Sequence, residues 1–230
     1  TAQYIFSDSY ILYAQATGGR QANDFRRLEM VSPYGQSSTQ LDATYEQLNA
    51  ALGFKTSPVT GLWFNIYGGY QDLKNNLASA AIANYSGSYL QLLQGNMHNI
   101  YAGAEASYSY KDIISFTASG IYRDWKTAKT ENNSGDQLLY YMPGIANFKV
   151  DIRPISSVLI NLGYQHITRE KIGNERVDPV GNLYLGGSYE VFEGISIYVR
   201  ANNLLNKDYQ YYPGYPTEGI NFMGGVSFRF

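Results

Sequence analysis

The C-terminal run Ile220-Asn221-Phe222-Met223-Gly224-Gly225-Val226-Ser227-Phe228-Arg229-Phe230 decides how the chain reads. Ile220, Phe222, Gly224, Val226, Phe228 and Phe230 fall on one side, and Asn221, Met223, Gly225, Ser227 and Arg229 on the other. Successive side chains of a strand point to opposite faces, so a period of two marks a strand with one apolar and one polar face. Working upstream, the same pattern recurs. Ile195, Ile197, Val199 and Ala201 oppose Ser196, Tyr198, Arg200 and Asn202, and Leu183, Leu185, Gly187 and Tyr189 oppose Tyr184, Gly186, Ser188 and Glu190. Further strands are expected around Val158–Tyr164, Phe148–Ile152, Ile114–Tyr122, Ile100–Tyr108, Leu62–Tyr70 and Leu48–Phe54, with a less regular one over residues 10–18. The sequence thus predicts about ten strands of roughly ten residues, the length a tilted membrane strand requires.

The connections between these strands alternate in length. Short turns are expected at residues 56–60, 110–112, 154–156 and 192–194, and long polar connections at 20–47, 72–99, 126–144, 169–180 and 205–219. Short turns at one end and long loops at the other are the layout of an outer-membrane barrel, with the short turns in the periplasm. A soluble sandwich shares the alternation but has no reason to gather its long loops at one end. The fold class is therefore all-β: transmembrane, antiparallel, up-and-down barrel strands. No helix is required; residues 77–84 and 89–94 are expected as irregular or briefly helical pieces of a loop.

Composition agrees. The 230 residues include 23 Tyr, 10 Phe, 2 Trp and 23 Gly, with a net charge of -2. Mean hydropathy is only -0.30, and no run approaches the roughly 20 apolar residues of a membrane helix. Barrel strands are only half apolar and carry aromatic girdles at both interfaces. Tyr70, Tyr122 and Tyr164 stand near the outer ends of their strands, all on the apolar face. Phe54, Phe64, Phe116, Tyr189, Phe228 and Phe230 suit the inner girdle. The near-zero charge gives no electrostatic basis for nucleic-acid binding. The absence of cysteine excludes a disulfide scaffold, a thiolate zinc site and a cysteine nucleophile. The chain starts at Thr1 without a basic and apolar leader, as a processed or partial chain would.

The segment Val199-Arg200-Ala201-Asn202-Asn203-Leu204-Leu205-Asn206-Lys207-Asp208-Tyr209 resembles the end of TonB-dependent receptor barrels, where such a run closes the penultimate strand and opens the last outer loop. Tyr212-Pro213-Gly214 and the finish Gly225-Val226-Ser227-Phe228-Arg229-Phe230 are similar to that family's last loop and last strand. The terminal aromatics Phe228 and Phe230 resemble the signal read by the barrel assembly machinery; Met223 departs from it, where a polar residue is usual. The resemblance implies a wall of about 22 strands and an N-terminal plug that contacts the TonB complex. Residues 1–230 are then the C-terminal portion of the barrel wall, with the plug domain absent. The implied function is import of a large nutrient: a metal chelate, vitamin, glycan or peptide. The alternative is a complete small porin or structural barrel of about ten strands.

Within this frame, residues of the outer loops are candidates for substrate contact: Asp24, Arg26, Arg27, Trp125, Tyr209, Tyr211, Tyr212 and Tyr215. Aromatics with a few polar groups suit glycans, peptides and chelates. Glu105, Arg123, Lys149, Asp151, Glu190 and Arg200, with Arg229, lie on the polar side of their strands. They are candidates for facing the lumen or a plug, since buried charges are costly unless paired. His98 and His166 lie near the outer rim without the Ser or Asp partners that hydrolytic catalysis needs, so no enzyme is expected. Asp24, Glu29, Asp136 and Glu175 are scattered loop carboxylates, so neither a metal site nor a cofactor is expected. The expected partners are outer-membrane lipid, the assembly machinery, the TonB complex through the plug, and a surface lipoprotein; nucleic acid is not among them.

Overall fold

The computed structural model describes the chain except Asp8, Ser32, Glu170, Val177, Phe230 and residues 34–40, 85–86, 128–142, 173–174 and 213–214; for residues 78–84, 87–91, 127, 171–172 and 175–176 it describes backbone alone. Among the described residues fifteen strands and one helix follow in order. They are β1 (Ala2–Ser7), β2 (Tyr10–Gln21), α1 (Phe25–Val31), β3 (Thr44–Val59), β4 (Leu62–Asn84), β5 (Gly87–Tyr110), β6 (Ile114–Thr127), β7 (Gly144–Ile155) and β8 (Val158–Ile167). After the short β9 (Lys171–Ile172) and β10 (Glu175–Arg176) come β11 (Val180–Phe192), β12 (Ile195–Asn202), the short β13 (Gln210–Tyr212) and β14 (Tyr215–Pro216), and β15 (Asn221–Phe228). Eleven of the strands form one antiparallel sheet in chain order, β1-β2-β3-β4-β5-β6-β7-β8-β11-β12-β15. Every neighbour in that sheet is the next long strand of the chain, so the topology is up-and-down throughout.

The register keeps the two faces apart across strands. Phe116 pairs with Val150, Val150 with Leu162, Leu162 with Leu185, Leu185 with Ala201 and Ala201 with Phe222. On the other face Asn65 pairs with Glu105, Glu105 with Ser119, Ser119 with Asn147, Asn147 with Gln165 and Gln165 with Asn182. A slip of one residue would mix the two rows. Burial is inverted relative to a soluble domain. Leu52, Ile66, Val199 and Phe222 are exposed, whereas Asn65, Asn99 and Asn203 are buried. An apolar face bared to its surroundings, with polar groups inside, is what lipid as a solvent selects.

The short turns are at one end. Lys111 and Asp112 both take positive φ, and Ile113 N–H donates to Tyr110 O, closing a two-residue hairpin of the type whose twist matches its strands. Gly61 and Gly194, with φ of 83° and 82°, serve the neighbouring turns. Three expectations are corrected at the other end and the edge. Most of the connection expected over residues 72–99 is strand: β4 and β5 continue through 72–84 and 87–99, pairing from Leu62 with Tyr108 up to Asn84 with Gly87. Leu73, Leu77, Leu92, Leu93 and Met97 supply apolar side chains along this extension, which runs past the neighbouring strands. A helix does form, α1, because Asp24 caps it: its Oδ1 accepts from Arg27 N–H at 3.0 Å. Finally, β1 adds an edge strand that the irregular N-terminal pattern concealed.

Candidate functional site

The polar face of β2–β6 is tiled by tyrosines lying on glycines. Tyr13 pairs with Gly53, Tyr67 with Gly103 and Tyr101 with Gly69; in the second half Tyr184 pairs with Gly163 and Tyr198 with Gly225. A Cβ on any of these five glycines would collide with the ring above it. Glycine lets the ring lie flat across the strand, and the ring covers the backbone that glycine leaves bare. The abundance of both residue types is thereby explained in part, and the girdles account for other tyrosines.

Two hydrogen-bonded chains run from the tiles Tyr13 and Tyr101. Tyr13 OH donates to Asn65 Oδ1 at 3.0 Å, and Asn65 Nδ2 to Glu105 Oε2 at 3.4 Å. Higher up, Tyr101 OH donates to Asn49 Oδ1 at 2.7 Å. Glu46 Oε1 accepts from Asn49 Nδ2 at 3.1 Å and from Gln71 Nε2 at 2.6 Å. Gln71 Oε1 in turn accepts from Asn99 Nδ2 at 3.0 Å. Arg123 ends the chain: its guanidinium donates to Asn99 Oδ1 at 3.0 Å and lies 4.7 Å from the Tyr101 ring centroid and 6.0 Å from that of Trp125. Glu46 was not predicted. Its even number places it on the apolar face, but a bulge between Glu46 and Leu48 reverses the parity and turns the carboxylate inward. The structure therefore brings Trp125 and Arg123 together at the outer end of the polar wall.

The second half is built differently. Ile121, Ile145, Ile167 and Val180 form a registered row on the polar face, against the alternation. Ile167 and Val180 are buried there under Tyr209, with Ile145 and Tyr211 packed alongside. The last loop folds inward to make this roof. Arg169 donates to the carbonyls of Gln210 at 2.6 Å and Tyr211 at 2.8 Å, and Tyr211 OH donates to Gln165 Oε1 at 3.1 Å. Burial lowers the Arg169 pKa and pushes that of Tyr209 up to about 12, the Tyr211 hydroxyl adding to the latter. The loop starts from Asn203, whose φ of 51° breaks the strand. Its buried amide donates to Lys207 O at 3.0 Å and Glu218 O at 3.1 Å, and its Oδ1 accepts from Lys207 N–H at 3.1 Å. The run 202–209 works here as a loop-closing hub.

The remaining candidates are dispersed. Asp24 is the α1 cap; Arg27 donates to Gln21 Oε1, and burial lowers its pKa although Asp24 opposes the shift. Arg26 is exposed, Tyr212 is half-buried and Tyr215 is exposed, the last two in the small β13–β14 hairpin. Arg200 lies 4.3 Å from the Tyr184 ring centroid and donates to Asn202. Glu190 accepts from Gly194 N–H within the short turn, and Lys149 pairs with Asp151 at 2.7 Å. Phe228 is exposed on the apolar face. Phe230 and Asp136 lie outside the described residues, as does the Glu175 side chain. His98 and His166 sit on the apolar face beside the girdle residues Tyr70 and Tyr164, at ring distances of 5.9 Å and 6.4 Å. At the other interface Phe54 stacks with Tyr10 at 6.1 Å and meets Phe64 at 6.4 Å. Among the described residues no group of three or more His, Asp or Glu side chains converges on a metal-sized site.

No family model matches the sequence, and no curated protein matches it closely. Solved structures do. A ferric enterobactin receptor of Pseudomonas aeruginosa superposes with TM-score 0.67 at 16% identity, over 99% of this chain and 39% of that one. The FrpB iron transporter of Neisseria meningitidis gives 0.68 at 12% identity, over 99% and 38%. The copper transporter OprC gives 0.65 at 15%, over 99% and 38%. The fold is that of a TonB-dependent receptor barrel wall. The chain spans less than two fifths of each of these three TonB-dependent transporters. The receptor fold is an outer-membrane fold, and it gives the two faces their solvents: lipid for the apolar face, the barrel interior for the polar one.

Proposed function

We propose that the chain is the C-terminal part of the wall of an energy-coupled outer-membrane importer, whose plug and remaining strands lie elsewhere in the polypeptide. The cargo is a metal chelate, with vitamins, glycans and peptides as the wider class of large nutrients. What carries the reading is the two-faced sheet of eleven strands paired in chain order, the same fold as transporters named for iron and copper. The inner wall near the outer mouth offers groups suited to an anionic, aromatic chelate: the Arg123 guanidinium beside Trp125, and the amides of Gln71 and Asn99. The chain forms the passage and the plug couples it to TonB.

The test uses the intact protein in its own membrane. Cells with and without the gene are given radioactive iron or copper as catecholate chelates, with and without a protonophore. Gene-dependent uptake abolished by the protonophore is expected. Gene-dependent uptake that the protonophore leaves unchanged would make the barrel a passive channel.

A further inference from the structure

Glu46 and Arg123 belong to one hydrogen-bonded row at the outer end of the inner wall, yet they form no ion pair. Glu46 Oε1 accepts from Gln71 Nε2 at 2.6 Å, and Gln71 Oε1 accepts from Asn99 Nδ2 at 3.0 Å. Asn99 Oδ1 accepts from Arg123 Nη1 at 3.0 Å, and the same Nη1 reaches Gln71 Oε1 at 3.4 Å. The two ends fix the direction of the row, because a carboxylate only accepts and a guanidinium only donates. Gln71 must turn its NH2 to Glu46 and its oxygen to Asn99. Asn99 must then turn its NH2 to Gln71 and its oxygen to Arg123. The guanidinium is thus held by two neutral oxygens, with the Tyr101 and Trp125 rings beside it at 4.7 Å and 6.0 Å. The ion pairs among the described residues, Lys126 with Asp124 and Lys149 with Asp151, include neither Glu46 nor Arg123.

A carboxylate in contact with a guanidinium forms a charge-assisted, two-pronged pair that cancels the charge. A neutral amide oxygen orients the guanidinium and leaves the charge in place. Only Nη1 carries these hydrogen bonds, so the remaining donors face the passage without a protein acceptor among the described residues. We infer that Gln71 and Asn99 set the charge selectivity of this mouth. Standing between Glu46 and Arg123, they keep the guanidinium un-neutralised, so it takes an anionic group of the cargo, whereas a neutral cargo of the same shape gains nothing from it. Asn99 is fully buried and acts through the guanidinium it holds. Glu46 is a positioning residue, since an acceptor-only group at that end is what gives both amides their direction. The inference rests on the reading that this wall meets a chelate; it adds the charge of that chelate and the residues that select it.

The experiment exchanges carboxylate and amide within the row. Glu46→Gln combined with Gln71→Glu can keep every hydrogen bond: the amide now at position 46 accepts from Asn49 and donates to the carboxylate now at 71, which accepts from Asn99 and Arg123. Net charge is unchanged; only its place moves, onto the guanidinium. Binding to the intact receptor in detergent is measured with two iron probes, a tri-anionic ferric tris(catecholate) and a neutral ferric tris(hydroxamate). The exchange should weaken the anionic probe roughly ten- to hundredfold, the worth of one charge-assisted hydrogen bond, and leave the neutral probe as it was. Asn99→Asp, which also sets a carboxylate on Arg123, should act in the same direction and stands in if the double variant does not fold. Heat-modifiable migration on gels reports folding. A second readout needs no chelate. Iodide should quench the fluorescence of Trp125, isolated by difference from Trp125→Phe, more than neutral acrylamide does, and the exchange should remove that excess. Equal losses for the two probes, or an anionic probe indifferent to the exchange, would overturn the charge selection. Failure of both probes to bind, with iodide discriminating as expected, would remove the chelate reading and keep the selective cation. No iodide excess in the wild type would overturn the selective cation whatever the probes do.

Discussion

The outer thirds of the two halves of the inner wall share one register and finish it in opposite ways. Across β3–β6 the wall is closed by hydrogen bonds: Glu46, Asn49, Gln71, Asn99, Tyr101 and Arg123 satisfy one another within the sheet. Across β6–β11 the same height carries the apolar row of Ile121, Ile145, Ile167 and Val180, finished only because Tyr209 and the last loop cover it. The first half is complete from its own strands and presents charge and aromatic rings to the mouth. The second half depends on a loop joined to it through Arg169 and Asn203. The surface left open is made of side chains already paired with each other. A surface that must be hidden is made of apolar ones and given a roof.

The comparison concerns the inner face alone, so the outer faces of the halves should behave alike. Leu52→Arg in the first half and Val199→Arg in the second should each destabilise the barrel by roughly 2–4 kcal/mol, the cost of a cation near the bilayer midplane. Ser196→Arg on the inner face should cost far less. Denaturant titrations in lipid vesicles measure this. Equal penalties on both faces would mean that the register is wrong.

A smaller effect should separate the halves. Arg123→Leu removes charged hydrogen bonds and leaves Asn99 Oδ1 without its donor, at a cost of about 1.5–3 kcal/mol. Arg200→Leu removes an exposed guanidinium that bonds within its own strand and lies over the Tyr184 ring, so its cost should stay within about 1 kcal/mol. The same titrations compare the two. If Arg200 proves as costly as Arg123, the second half holds a network of its own and the contrast fails.

The fold was legible because period-two alternation and alternating loop lengths are strong local signals. Phe222, Val226 and Phe228 declare their face without help from tertiary contacts. The misses have specific physical causes. Glu46 was hidden by a bulge, which changes parity without any mark in composition. The row at Ile121, Ile145 and Ile167 was visible as apolar residues at odd positions, but its meaning needed the roof that Tyr209 supplies. Residues 72–99 read as a loop because Asn75, Asn76, Asn84 and Gly95 look like turn residues. Asn75 in fact takes a φ of 52° at a bulge between Leu73 and Asn76, and pairing resumes beyond it. The tyrosine tiles had a signal in the sequence: Tyr and Gly share the polar parity, but opposition across strands becomes visible only once register is known. The loop candidates divided for the same reason. Tyr209 and Tyr211 turned out to hold the loop, and Trp125 joined Arg123 on the wall.

The tiles allow a finer comparison. Gly53→Ala places a methyl under the Tyr13 ring, whose hydroxyl is committed to Asn65. Either the ring lifts and the hydrogen bond is lost, or the strands part; about 1 kcal/mol is expected, at the low end for overpacking because the ring is the movable end of its side chain. Gly120→Ala is the control, for the nearest atom to its Cβ is a carbonyl at an ordinary 3.7 Å. There the change should be neutral, or slightly stabilising through reduced freedom of the unfolded chain. Equal losses at both positions would show that glycine matters for backbone reasons and not for the ring above it.

The smallest expected effect tests the roof itself. Tyr209 is only 4% exposed, and its ring meets that of Tyr211 edge-on at 5.6 Å. Burial, aided by the Tyr211 hydroxyl, raises its pKa to about 12, whereas an unfolded chain ionises near 10. The neutral phenol is the form the roof accepts. Below pH of about 10 both states are neutral and the contribution of Tyr209 is fully present. Between about 10 and 12 the unfolded chain loses a proton that the folded one keeps, so stability falls as pH rises through that window and levels off beyond it. The measurement is a difference titration of tyrosinate absorbance, wild type minus Tyr209→Phe, in folded receptor. A single step near pH 12 is expected. A step near 10 would mean that the phenol meets water, that the last loop stands away from Ile167 and Val180, and that the second half of the wall is as open to the mouth as the first.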